Sequence, residues 1–270
     1  MKESDWKRVV EAAMGPASDY LASLPERAVY RPAEPDEIRA VVGHALSDDG
    51  VDPAEVVADL ARDLEPYVTA HASGRYFGFV IGGLHPAAYG AELLAATWDQ
   101  NAGLYAVAPG VAIAEEVAAG WVLDVLDLPP NASVGFVTGG QMANFTCLAA
   151  ARHDVLRQRG WNVEADGLQG APRINIVLKT ERHSTVPRAL RHLGLGDSSA
   201  IEIPSDAQSR IDPEAVRRTL EGLSGPTIIS AEAGNINFGS FDDYHAVADA
   251  ADQHRARGNP TWVHVDGAFG

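Results

Sequence analysis

The chain has 270 residues, 46% of them hydrophobic and 21% charged, and carries a net charge of −16. That surplus of anions repels phosphate backbones and anionic lipid, so it argues against nucleic-acid and membrane partners. A charged N-terminus without an apolar signal core, and no run near the ~18 apolar residues of a membrane span, make a cytoplasmic protein the expectation. The single cysteine, Cys147, excludes an intrachain disulfide and a cysteine-based zinc cage, and no metal centre is expected.

Residues 5–14 and 36–46 are amphipathic, and Asp52-Pro53 opens a third helix with proline in its first turn. Pro25, Pro32 and Pro35 mark the intervening segment as extended. Residues 1–75 thus read as a helical N-terminal segment. The RYFGFVIGGLHP run that follows is aromatic and glycine-rich, and leads to helical patterns at 86–101 and 110–126. In the second, Ala114, Val117, Ala118, Trp121 and Val125 share one face, a spacing that predicts core packing. Strands are predicted at 134–137, 174–178, 200–203, 227–230 and 262–265, all rich in β-branched residues. Helices are predicted between them at 142–159, 185–193, 213–223 and 241–257. Cys147, flanked by Phe145 and Leu148, reads as a packing residue of the first of these. Such alternation implies an α/β domain whose largely parallel sheet is covered on both faces.

In open α/β sheets ligands sit beyond the carboxyl ends of the strands, so the residues that follow each strand matter most. The first strand is followed by Thr138-Gly139-Gly140-Gln141, which reads either as a phosphate cradle at a helix N-terminus or as an ordinary capped turn. It has neither GxGxxG nor GKS/T spacing, which weighs against a nucleotide binder. The second strand is followed by His183, either a loop imidazole or one that lies against an aromatic ligand. The third leads only to PSDAQS. After the fourth comes Ala233-Gly234-Asn235-Ile236-Asn237, and the last ends in His264-Val265-Asp266-Gly267-Ala268. Asp266 is either a turn-forming residue or a shielded carboxylate facing a cationic ring nitrogen.

Taken together and in this order, TGGQMANFTCLAAAR, ERHSTVPRAL, EAGNINFGSFDD and WVHVDGAFG resemble the group II decarboxylases of amino acids, which use pyridoxal 5′-phosphate (PLP). RYFGFVIGGLHP and WDQNAGLYAVAPG extend the resemblance over about residues 76–270. It implies a fold type I, PLP-dependent transferase-like large domain over 76–270, truncated, behind the helical segment 1–75. It also implies decarboxylation of an amino-acid substrate by a homodimer. By the same resemblance Gly140 and Gln141, with Gly139 adjacent, hold the phosphate. His183 stacks on the pyridine ring and assists proton transfer, Asp266 pairs with the pyridinium nitrogen, Ala268 packs beneath the ring and Asn237 lies near it. Relatives often carry serine, threonine or alanine where this chain has Gln141, so the contact there is expected from backbone N–H groups. Residues 105–112 match the region that approaches substrate, often across a dimer interface.

The family lysine that attaches PLP covalently follows the HVDxA aspartate by a few dozen residues, beyond Gly270. Lys2 and Lys7 lie in the first helix. Lys179 ends a strand four residues before His183 and reads as a lysine reaching solvent, not as a substitute for the attaching amine. The chain is therefore expected to be an inactive N-terminal portion of a longer carboxy-lyase. The alternatives are a PLP-dependent carbon–carbon aldehyde lyase and a non-catalytic binding or dimerisation homologue.

Overall fold

The structure, a computed structural model, describes residues 3–81, 83–198 and 200–270. It divides into two compact units, Met1–Gln100 and Asn101–Gly270.

The first unit is helical: α1 (Glu3–Ser23), α2 (Pro35–Val42), α3 (Pro53–Leu64), a single 3₁₀ turn (Glu65–Tyr67) and α4 (Pro86–Trp98). Helix α1 runs past the expected stop at Met14, through Gly15 and Pro16. Proline forfeits one i→i−4 bond there, and the glycine before it has no Cβ to collide with the ring. Asp52 caps α3 through the Ala54 and Glu55 N–H groups and also pairs with Arg8 at 2.9 Å, tying α3 to α1. The Arg27–Glu65 pair (2.5 Å) adds a second tie. No described helix is long and apolar enough to cross a membrane.

The second unit holds α5 (Pro109–Val125), α6 (Gly140–Arg157), α7 (Val163–Asp166), β1 (Asn175–Lys179), α8 (Thr185–His192), β2 (Ile201–Ile203), α9 (Pro213–Glu221), β3 (Thr227–Glu232), α10 (Tyr244–Ala256) and β4 (Thr261–Asp266). Among the described residues the four strands form one parallel sheet in the order β2-β1-β3-β4. Alternate strand residues feed two cores. Ile176, Leu178 and Ile228 join Leu148, Val155 and Leu190 of α6 and α8, while Val177, Ile203 and Ile229 join Val216, Leu220 and Val247 of α9 and α10. Full burial of each such side chain is worth roughly 1.5–3 kcal/mol, so the doubly covered sheet carries this unit's stability.

Three sequence expectations fail here. Residues 134–137 form no strand: among the described residues they pair with none, and β4 bonds to β3 alone, whereas a strand exists only through a neighbour's ladder. The α5 stripe does not pack into a core: Trp121 is 69% and Val125 80% exposed. Periodicity identifies an apolar face but not what covers it. Cys147 is exposed for a related reason. The buried face of α6 is Asn144, Leu148, Ala151 and Val155, and Cys147 falls outside it.

Candidate active site

The site lies beyond the carboxyl ends of the strands. Gly139 precedes α6 with φ +150°, a backbone state that side chains disfavour, and no side chain caps the helix. The first N–H groups of α6 have no intrahelical acceptor and sit at the positive end of its dipole. A Cβ placed on Gly140 would meet the Ala268 Cβ at 3.5 Å, so the turn before α6 lies against the segment after β4.

One turn into α6, its buried stripe begins with a polar residue. Asn144 donates from Nδ2 to Asp266 Oδ2 (3.0 Å) and to Thr185 Oγ1 (3.0 Å), and Oδ1 accepts from His264 Nε2 at 2.7 Å. Thr185 Oγ1 lies 2.8 Å from His183 Nδ1, which also accepts the Thr185 N–H at 3.4 Å. Gln141 Nε2 donates to the Thr185 carbonyl at 3.3 Å, while its Oε1 is buried with no hydrogen-bond partner. Asp266 is 8% exposed. Its carboxylate accepts only from Asn144 and from the Ala268 N–H (3.2 Å), and no cation among the described residues pairs with it. Burial pushes the His264 imidazole down to about 4, against the opposing pull of Asp266, so this neighbour is neutral at physiological pH.

Beside this network runs a cleft of about 360 Å³ lined by Arg182, His183, Ser209, Glu232, Asn235 and Asn237 among others. Gly234, with φ +81°, admits the closing segment: a Cβ there would lie 2.7 Å from Phe269 and 2.9 Å from the Gly270 nitrogen. Asn235 turns back to bond Glu232 and Ser209 and accepts the Asn237 N–H at 2.9 Å.

Lys179 corrects the expectation of a solvent-reaching side chain. It is 3% exposed, ion-paired with Glu232 and, at 3.7 Å, with Asp242, and it donates to the Ser209 carbonyl at 2.8 Å. The PSDAQS loop, which looked chemically bare, supplies Ser209 to this cluster. Glu232 and Asp242 draw the amine inward, an outcome local sequence does not reveal because the three come from distant segments.

Of the residues singled out from sequence, Gln141, His183 and Asp266 are linked through Asn144 and Thr185. Gly139, Gly140 and Ala268 meet at the start of α6, and Asn237 shares the cleft with His183 without a hydrogen bond to this network. Asn144, Thr185 and His264 were missed as site residues. A readable signal existed for two of them: Asn144 is the lone polar member of an otherwise apolar helical stripe, and His264 stands two residues before Asp266 on the same strand face.

A family model described as the pyridoxal-dependent decarboxylase conserved domain matches residues 35–270. The aromatic-L-amino-acid decarboxylase of Bacillus atrophaeus is 25% identical over 256 residues, covering 93% of this chain and 50% of that protein. Mouse CSAD in its apo form superposes with a TM-score of 0.86 at 22% identity, over 98% of this chain and 55% of that one. Oryza sativa TDC with PLP and tryptamine does so with a TM-score of 0.84 at 23% identity, again over 98% and 55%. At these identities the structural likeness shows the fold. The chain spans about half the length of the curated relatives it matches.

Proposed function

We propose, from the premise that the chain belongs to the pyridoxal-dependent decarboxylase family, that residues 76–270 hold PLP in a carboxy-lyase acting on an amino acid. The observation that carries this reading is Asp266, a buried carboxylate that, among the described residues, accepts hydrogen bonds from neutral donors and forms no ion pair. A buried anion of this kind is costly unless a cation completes it. The protonated ring nitrogen of PLP is such a cation.

The rest of the donor set fits the same group. The uncapped start of α6, at Gly139, Gly140 and Gln141, offers N–H groups and a positive dipole end to the phosphate. His183 borders the cleft with its Nδ1 occupied by Thr185, which leaves Nε2–H and the ring face for the ligand. Ala268 packs close to Gly140 and supports the other side, with Asn237 at the margin. When bound, PLP supplies an electron sink for the pair left behind as CO₂ departs. Asp266 would keep the ring nitrogen protonated by opposite charge, and His183 would lie against the ring and offer Nε2 for proton transfer. The enzyme is read as a cytoplasmic homodimer. Exposed Tyr105 and Val107, in the stretch matched to a shared substrate approach, support the dimer, and one cysteine in 270 residues suits a reducing compartment.

The test is binding of 4′-deoxypyridoxine 5′-phosphate, which keeps the phosphate and ring nitrogen but has no aldehyde. Saturable binding is expected, weakened about 30-fold or more by Asp266→Ala with the circular dichroism spectrum retained. Failure of the parent chain to bind, or equal binding by the variant, refutes the reading.

A further inference from the structure

We infer that Asn144 is a positioning residue, one buried amide that sets Asp266 and His183 together and is itself oriented by His264. The inference rests on the cofactor reading above, in which Asp266 and His183 face the ring.

The hydrogen bonds leave little freedom in where the protons lie. Asp266 Oδ2 can only accept, so the Asn144 atom 3.0 Å from it is the amide nitrogen. The same nitrogen gives its second hydrogen to Thr185 Oγ1. Asn144 Oδ1 then requires a donor, and His264 Nε2–H is the group 2.7 Å away. On the other branch His183 Nδ1 accepts the Thr185 N–H, so Thr185 Oγ1–H points to Nδ1 as well. Both histidines therefore carry their hydrogen on Nε2. His264 acts as the fixed anchor, neutral and 4% exposed, and Asn144, 3% exposed, is satisfied on all three of its polar contacts.

The consequence concerns the carboxylate. Asn144 holds Oδ2 and the Ala268 N–H holds Oδ1, so neither oxygen can swing and each keeps a lone pair for a cation. Without Asn144, Asp266 can rotate away from the ring nitrogen, Thr185 Oγ1 loses one of its two hydrogen bonds, and His183 loosens with it. A polar network of this kind is strong only when complete.

The groups that face Asp266 and can titrate or carry charge are His264 on β4, Glu232 on β3, Lys179 at the end of β1, and Arg182 and His183 beyond it. Only His264 and His183 join Asp266 through Asn144, so a substitution at Asn144 addresses this branch and leaves the Lys179–Glu232 pair intact.

The experiment measures 4′-deoxypyridoxine 5′-phosphate binding and the pH at which its ring nitrogen titrates when bound, for the parent chain, Asn144→Ala, His264→Leu and His264→Gln. Asn144→Ala and His264→Leu are expected to weaken binding about tenfold and to move the ring-nitrogen titration to lower pH. His264→Gln, which retains a donor toward Asn144 Oδ1, is expected to keep both near the parent values. A purely packing role would not move the titration and would not be rescued by glutamine. If Asn144→Ala fails to fold, the two His264 variants decide the matter alone. Binding and titration unchanged in the variants overturn the inference while leaving the cofactor reading intact; no binding by the parent chain overturns both. Nitrogen-15 spectra of the chain without ligand give an independent check, since a hydrogen on Nδ1 of His264 contradicts the assignment.

Discussion

Glu232 and Asp266 are register partners on neighbouring strands, both buried, yet their surroundings differ in kind. Glu232 borders the cleft, yet it belongs to a cluster closed in charge, in which Lys179 is enclosed by two carboxylates, a backbone carbonyl and the Ser209 loop. Asp266 belongs to a polar network open in charge: its donors are all neutral, and it reaches the cleft only through His183. One carboxylate has its cation within the protein. The other has no cation paired with it among the described residues. Position in a sheet therefore does not separate these two carboxylates; the inventory of their partners does.

The strongest way to break the comparison is to remove the cation of the closed cluster. Lys179→Met leaves Glu232 and Asp242 buried against each other with no counter-charge, and a loss of about 3–5 kcal/mol is expected. Urea unfolding of the 270-residue chain measures it. Replacing Lys179 and Glu232 together by methionine should recover part of that loss, because one ion pair leaves whole while Asp242 stays buried on its backbone N–H donors. A single substitution that costs nothing would show that the ammonium is not buried as described.

Next in size is the effect of acid on the open network. His264 has an ordinary value of 6.5, depressed to about 4 in the folded chain by burial, so the unfolded chain binds the proton more readily. Its contribution to stability is then complete above pH 6.5, declines as pH falls from 6.5 toward 4, and changes no further below that. The full excursion is about 3 kcal/mol. His254, also depressed by burial, acts with the same sign. The measurable quantity is therefore the difference between the parent and His264→Gln, in which the parent should lose about 2 kcal/mol relative to the variant between pH 7 and pH 5. Parallel pH profiles would place His264 outside the buried network.

How much of this was legible in the sequence depended on whether the signal was local. Strands at β1, β3 and β4 and the helices between them follow from β-branched runs and capping chemistry, such as Asp212 bonding the Glu214 and Ala215 N–H groups ahead of α9. His183, Asp266 and the Gly139–Gln141 turn were singled out because each ends or follows a strand expected from the sequence. Lys179 was misread because its environment is built from β3, the Ser209 loop and Asp242, none adjacent in sequence. Trp121 and Val125 were misread for the converse reason: helical spacing marks a face, whereas burial requires a partner. The segment 134–137 shows the same dependence in strand form.

The smallest expected change in stability is the one that separates the two carboxylates most sharply. In Asp266→Asn the retained oxygen still accepts from Asn144, and only the 3.2 Å bond from Ala268 is put at risk. The substitution also removes a buried charge that no protein cation balances, so the two effects oppose. Unfolding free energy at pH 7 is expected to stay within about 1 kcal/mol of the parent, while binding of 4′-deoxypyridoxine 5′-phosphate falls by about 30-fold or more. Lys179→Met should reverse the pattern, with a large loss of stability. A strong destabilisation by Asp266→Asn would mean that its carboxylate is held by the fold as Glu232 is, and the distinction between a closed and an open site would be lost.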